Sequence, residues 1–193
     1  MEKRGVKVDH STLNLWVIRY SPQLAREAQQ RKQTVSSSWR MDETYIKVKG
    51  RWTYLYRAID NYGNTVDFLL SEKRDEAAAT AFFKQSIEKN GIPEKVVIDQ
   101  SGANNAGLEN INCLFFLMGF LYFIDILQVK YLNNIVEQDH RFIKKITKPM
   151  LGFKAFHSAA ATLAGIEVAH MIRKGQFINN LLPAHKQFMA LAA

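Results

Sequence analysis

Three carboxylates of this chain stand where carboxylates are uncommon. Asp42 falls in the middle of "WRMDETYIKVKG", a period-two segment that reads as a strand, where Asp is disfavoured. Asp99 closes "KVVID", a short β-branched run, and so sits at a strand end, where open α/β sheets place ligands. Glu137 begins the helical stretch that follows the strand-like "LQVKYL". Three carboxylates brought together repel one another, and without a cation at least one takes a raised pKa. A hard divalent cation removes that penalty, and Mg²⁺ accepts a few carboxylates together with substrate phosphate oxygens. Two such ions about 4 Å apart activate an attacking oxygen and stabilise a leaving one in phosphodiester chemistry.

Each acid also has a plainer reading. Asp42 can lie on an exposed sheet edge, Asp99 before "QSG" can shape a turn or cap a helix, and Glu137 can pair with Arg141 one helical turn on. At about 100° per residue, Glu137, His140, Arg141, Lys144 and Lys148 share one helix face, and Val136, Phe142, Ile143 and Ile146 the other. One carboxylate at the head of a row of cations is either a salt-bridged surface or a metal ligand beside a phosphate-binding ridge.

The elements that must position these acids follow from periodicity. In "TLNLWVIRY", Leu13, Trp16, Val17 and Tyr20 recur at helical spacing behind a cap at Asp9 or Ser11. A second, polar and basic helix from Ser21 fades into serines 36–38, where a domain boundary is expected. From residue 39, "WRMDETYIKVKG", "WTYLYRAID" and "TVDFLLS" form three strands joined by tight turns, an antiparallel meander. "RDEAAATAFFKQSIEKNG" is a helix with Gly91 just past its end, "KVVID" a buried strand, and "QSGANNAGLENINCLFFLMGF" a loop and then a helix. "YFIDILQVKYL" is strand-like, and from residue 135 the chain is helical apart from "KPMLGF". The order βββαβαβα predicts a mixed five-stranded sheet covered by helices, compatible with an RNase-H-like fold. With the first and fourth strands side by side, Asp42 meets Asp99, and the helix after the fifth strand lays Glu137 across them.

Bulk properties agree with a single domain of 193 residues and a small appendage. The 26 Lys and Arg against 18 Asp and Glu leave a net charge of +8, which favours a polyanionic partner, nucleic acid before membrane surface. Cys113 has no partner for a disulfide and lies in an apolar run, which predicts a buried thiol in a reducing cytosol, and no residues stand at zinc-ligand spacing. The run "CLFFLMGFLYFI" is too short to span a bilayer, and core burial is its expected role.

These segments together resemble the DDE transposases of bacterial insertion sequences, specifically the insertion-sequence-six family. The resemblance is carried by "WRMDETYIKVKGRWTYLYRAID", "VVIDQSGANNAGL", "QVKYLNNIVEQDHRFIKK" and "GFKAFHSAAATLAGIEVAHMIRKGQ", and covers nearly everything from Trp39 to Gln176. It implies a retroviral-integrase-type, RNase-H-like catalytic core over residues 39–178, in which Asp42, Asp99 and Glu137 are catalytic and hold two Mg²⁺ ions, with Mn²⁺ able to substitute. It implies cleavage of double-stranded DNA at transposon ends and joining of the 3′-hydroxyls to target phosphates. Arg141, Lys144, Lys145 and Lys148 become candidate phosphate contacts. The implied partners are terminal inverted repeats, target DNA and further copies of the chain, in the bacterial cytoplasm, with no membrane.

Three departures accompany it. Gln100 stands where the family usually has Lys, the stretch from Asp99 to Glu137 is longer than usual, and residues 1–35 read as the second half of a helix-turn-helix module with its linker helix. In that module a turn at Gly5 leads to a recognition helix from Ser11 to Tyr20. The expectation is a truncated module before an intact core, followed by a C-terminal tail at 179–193, with Leu13, Trp16 and Val17 left without the helices they would pack against. The competing readings are a silent DNA-binding or assembly fragment that modulates full-length transposase, and a nuclease that uses similar metals to hydrolyse.

Overall fold

A computed structural model of the chain describes residues 8–129, 134–178 and 181–192. The elements run α1 (His10–Arg31), β1 (Ser38–Val48), β2 (Arg51–Asp60), β3 (Thr65–Ser71), α2 (Glu76–Asn90), β4 (Lys95–Ile98), α3 (Gly102–Leu117), β5 (Asp125–Gln128), α4 (Asn134–Thr147), a 3-10 turn (Lys148–Met150), α5 (Phe156–Arg173) and α6 (Ala184–Ala192). They group into two compact units, residues 33–152 and residues 1–32 with 153–193.

The first unit carries the sheet, in the order β3-β2-β1-β4-β5. β1, β2 and β3 are antiparallel neighbours, and a two-residue turn at Lys49-Gly50 sets Val48 opposite Arg51 and Asp42 opposite Arg57. β4 adds in parallel to β1, and β5 in parallel to β4. The buried Asp60 carboxylate closes the β2–β3 turn by accepting from the Tyr62 and Asn64 amides at 2.9 and 2.8 Å, and it also accepts from the Ser36 amide at 3.2 Å. Serines 36–38 are therefore part of the sheet unit and not a linker: Ser37 also accepts from the Glu94 and Lys95 amides.

One sheet face supplies Trp39, Met41, Tyr56, Ala58, Val96 and Ile98, which pack on Ala79, Phe82 and Phe83 of α2 and on Leu108 and Ile111 of α3. α2 starts on Asp75, whose side chain accepts from the Ala78 amide. The two helices approach so closely at Gly107 that a Cβ there would lie 2.7 Å from the Ala79 Cβ. α4 lies against β1 and β2 through Val136, His140 and Ile143, all buried.

Burial does not extend along the apolar run. Phe116, Leu117, Met118, Phe120 and Phe123 are exposed, Leu121 is 99 % exposed, and the Cys113 thiol is exposed. The expectation of a buried thiol and a buried run fails for a geometric reason: β5 spans only four residues, and α3 meets the core through Leu108, Ile111 and Phe115. The loop after α3 folds back instead. The Asn112 side chain donates to the Ile124 carbonyl and accepts from the Ile124 amide, at 3.0 and 2.8 Å, while Phe116 and Phe123 stack outside.

In the second unit the two expected N-terminal helices are one. α1 is a 22-residue helix capped by Asp9 that continues through Pro22. A proline inside a helix loses one hydrogen bond, but tertiary packing outweighs it here. Ser21 seats against Gly165 of α5, where a Cβ would come within 2.8 Å of the Ser21 hydroxyl, and Ala28 is buried with Val168, Met171, Ile172, Phe177 and Leu191. Ser11–Tyr20 thus run on unbroken into the segment expected to form a second helix, and the turn expected at Gly5 lies outside the described residues. Trp16 is exposed as expected, and Leu13 and Val17 are half-buried in a groove floored by Phe188 and Leu191. Because α5 and α6 pack with α1, the compact units divide differently from 1–35, 39–178 and 179–193.

Candidate active site

β1 and β4 pair in parallel with Arg40 against Val97, and the same register carried two residues further sets Asp42 abreast of Asp99. β4 ends at Ile98, so at this level β1 is paired only by β2 and its other edge is open, with no strand there to separate the two sheet faces. Glu43, which alternation would send away from Asp42, therefore joins the group: one oxygen each from Asp42, Glu43 and Asp99 lie within 4.8 Å of one another. Among the described residues Glu137 stands outside that spacing, exposed in the first turn of α4, but its charge acts on Asp42.

Burial pushes the Asp42 carboxyl up to about 7, and the charges of Glu43, Asp99 and Glu137 add to the shift, while the Glu43 backbone amide opposes it. Burial is the larger cause, and the neighbouring carboxylates act in the same direction. The donor set is all oxygen and anionic, which suits a hard divalent ion of the Mg²⁺ or Mn²⁺ type.

Asp99 shapes the turn that its plainer sequence reading suggested. Its Oδ1 accepts from the Ser101 amide at 3.1 Å and from the Asn104 side chain at 3.4 Å, an Asx turn leading into α3. Its Oδ2 faces the Arg74 guanidinium at 3.7 Å. Arg74 also holds Glu43 through two hydrogen bonds of 3.3 Å, and the Glu43 side chain is only 3 % exposed. Burial works against the Arg74 cation, yet the charge of Glu43 and its hydrogen bonds prevail and make the guanidinium more basic than usual.

α4 is anchored beside Asp42 by two contacts. Arg57, fully buried and directly across the β1–β2 ladder from Asp42, donates to the Asp139 carboxylate at 2.7 Å. The His140 imidazole Nδ1 lies 3.6 Å from Asp42 Oδ2. Burial and the cations Arg57 and Lys144 depress His140 to about 3 against the attraction of Asp139, so at neutral pH this contact is made by an uncharged ring and is not an ion pair. His140 therefore belongs with Val136 and Ile143 on the inner face, not on the cationic ridge that helical-wheel counting assigned it to. Arg141, Lys144 and Lys145 are exposed on α4, and Lys148 is exposed in the following 3-10 turn.

Sequence reading overlooked Glu43, Arg74, Arg57 and Asp139. Counting back from the Lys49-Gly50 turn would have placed Arg57 opposite Asp42. The pairing of Glu43 with Arg74, 31 positions apart, left no comparable signal.

The β3-β2-β1-β4-β5 sheet with flanking helices is an RNase-H-like core of the retroviral-integrase type. The catalytic core of BIV integrase superposes with a TM-score of 0.53 at 19% identity, covering 80% of this chain and 95% of that one. The HTLV-2 integrase catalytic core in complex with magnesium gives 0.52 at 18% identity, covering 70% and 86%.

A family model described as a DDE domain matches residues 36–176. The transposase for the insertion sequence-like element IS431mec of Staphylococcus aureus is 38% identical over 197 residues, spanning 100% of this chain and 85% of that protein. The transposase for insertion sequence element IS257 in transposon Tn4003, also from Staphylococcus aureus, is 38% identical over 194 residues, with coverages of 98% and 84%. The chain belongs to the DDE transposases of bacterial insertion sequences, in the insertion-sequence-six family, and so to the polynucleotidyl transferases.

Proposed function

We propose that this transposase cleaves the ends of its insertion sequence and joins them to target DNA, with Asp42, Asp99 and Glu137 as the catalytic carboxylates and ligands of two Mg²⁺ ions. The reading rests on one observation above all: an oxygen of Asp42 and one of Asp99 lie within 4.8 Å of each other, and Asp42, raised to about 7, feels the charge of Glu137. When bound, the ions supply activation of the attacking hydroxyl and stabilisation of the departing oxygen. The chain supplies the rest. Arg57 and Asp139 hold α4 on the sheet, so that Glu137 rides on a fixed helix start. His140, neutral and buried against Asp42, keeps water from one side of that carboxylate. Arg141, Lys144, Lys145 and Lys148, exposed along α4 and its 3-10 extension, present cations to the phosphates of double-stranded DNA. Terminal inverted repeats and target are bound by a homo-oligomer working on nucleoid DNA in the cytoplasm. No described helix is long and apolar enough to cross a membrane.

The test is to incubate the purified chain with a pre-cleaved insertion-sequence-end duplex, a plasmid target and Mg²⁺ or Mn²⁺, beside Glu137→Gln. Joined product that disappears in the variant and in chelator supports the reading. Retained DNA binding without joining would favour the silent assembly fragment, and hydrolysis without joining would favour a nuclease.

A further inference from the structure

We propose that Arg74 is a phosphate-binding residue of this site: Glu43 presents its guanidinium, and it exchanges Asp99 for a DNA phosphate oxygen when a divalent ion takes Asp99. The inference rests on the metal-site reading of Asp42 and Asp99.

Three observations carry it. Glu43 is an unsuitable metal ligand despite its spacing, because both of its oxygens accept from Arg74 and its side chain is 3 % exposed. A buried carboxylate engaged in this way orients the cation it holds, and the planar fork of Arg suits that role. The contact from Arg74 to Asp99 is of a different kind. At 3.7 Å it is beyond hydrogen-bonding distance, and both side chains are more than a third exposed, at 35 % and 38 %, so it is readily given up. Finally, the backbone that carries Arg74 is held on both sides. The Lys73 amide donates to Ser71 Oγ at 3.2 Å, and Asp75 caps α2. Arg74 thus rises from a fixed loop and is gripped by Glu43, with N–H donors left over from the five a guanidinium offers.

The exchange follows from charge. A divalent ion on Asp99 repels the guanidinium and removes its attraction to that carboxylate, while Glu43 keeps it close by. A phosphodiester approaching Asp99 would offer the guanidinium an anionic oxygen in place of the carboxylate. Before DNA arrives Arg74 competes with the metal for Asp99, and afterwards it contributes to DNA affinity.

Both halves can be measured on the full chain. Mn²⁺ binding without DNA is followed by calorimetry for the wild type, Arg74→Ala, Arg74→Lys and Asp42→Asn. Affinity for a fluorescein-labelled mixed-sequence duplex is followed by anisotropy in Ca²⁺ across a salt series. Arg74→Ala is expected to bind Mn²⁺ several-fold more tightly than wild type. It should bind the duplex about tenfold more weakly, with the log–log salt slope reduced by about one. Arg74→Lys should keep the wild-type slope. Because Arg74→Ala leaves buried Glu43 without its cation, the double variant Glu43→Gln/Arg74→Ala is measured beside it and should show the same reduced slope. Unchanged or weaker Mn²⁺ binding in Arg74→Ala, or an unchanged salt slope in both Ala variants, overturns the proposal while leaving the metal site standing. Absence of saturable Mn²⁺ binding in the wild type, or identical binding by Asp42→Asn, instead overturns the metal-site reading and this proposal with it.

Discussion

The acid end of the sheet and the overhang after α3 reverse the usual distribution of polarity. At the acid end, charged groups are inside: Arg57 is fully buried, the Glu43 side chain is 3 % exposed, and Asp42 and Asp139 are largely enclosed. At the overhang, apolar groups are outside, from Phe116 to Phe123, in a stretch from Asn110 to Ile124 without a single charged residue. The acid end is tolerable because nearly every buried charge has a partner, Arg57 with Asp139 and Glu43 with Arg74. Asp42 is the exception, and it responds by holding its proton. A buried charge with neither a partner nor a raised pKa would cost several kcal/mol. The overhang is tolerable because exposed apolar side chains cost little in the folded state, and Asn112 satisfies the backbone of the returning loop.

Breaking the acid end should have the largest effects. Asp42→Asn and Asp99→Asn are each expected to abolish joining of a pre-cleaved end, while Glu43→Gln, which loosens Arg74 without removing a metal ligand, should weaken joining but leave it detectable in the same gel assay. Next in size, Arg57→Met strands the Asp139 carboxylate in the interior and should lower stability by about 3–5 kcal/mol in urea unfolding. Adding Asp139→Leu should recover much of that loss.

The pH dependence of Asp42→Asn sharpens the same point. In the folded chain Asp42 keeps its proton to about 7, whereas the unfolded chain releases it near the ordinary value of 3.8. The stability associated with this group is therefore full below about pH 4 and lost as pH rises through 7. Asp42→Asn should match wild type at pH 4 and exceed it at pH 8 in chelator. The shift from 3.8 to about 7 caps that gain at roughly 4 kcal/mol, and neighbouring charges and relaxation make it smaller. Mg²⁺ should erase the advantage. His140 acts in the opposite direction: depressed to about 3, its contribution is full above about 6.5 and lost as pH falls. Comparing the variant with wild type at each pH cancels that background. The smallest effect belongs to the overhang. Leu121→Glu should change stability by no more than about 0.5 kcal/mol, the ordinary range for surface positions, as read from its melting curve.

The sheet was legible because its signals are local: a tight turn between alternating segments, a helix between each later pair of strands, and an acid at the end of a β-branched run. Strand order then follows from few choices, and with it the meeting of Asp42 and Asp99. Three features were not legible, each for a physical reason. Hydropathy marks 113–124 as apolar but does not say whether any surface exists to cover it. Angular counting along α4 places His140 near the boundary between faces, and only its packing against Asp42 decides for the interior. The pairing of Glu43 with Arg74 joins a strand to a distant loop, a contact that no periodicity encodes.

The central claim is that this chain's metal ligands are Asp42, Asp99 and Glu137, and that Glu43, although it groups with the first two within 4.8 Å, serves Arg74. Crystals grown with Mn²⁺ and a pre-cleaved end duplex, measured at the manganese absorption edge, test it most directly. The account predicts anomalous peaks coordinated by Asp42, Asp99 and Glu137, with Glu43 still hydrogen-bonded to Arg74. Peaks seated on Asp42, Glu43 and Asp99, with Glu137 turned away, would contradict it.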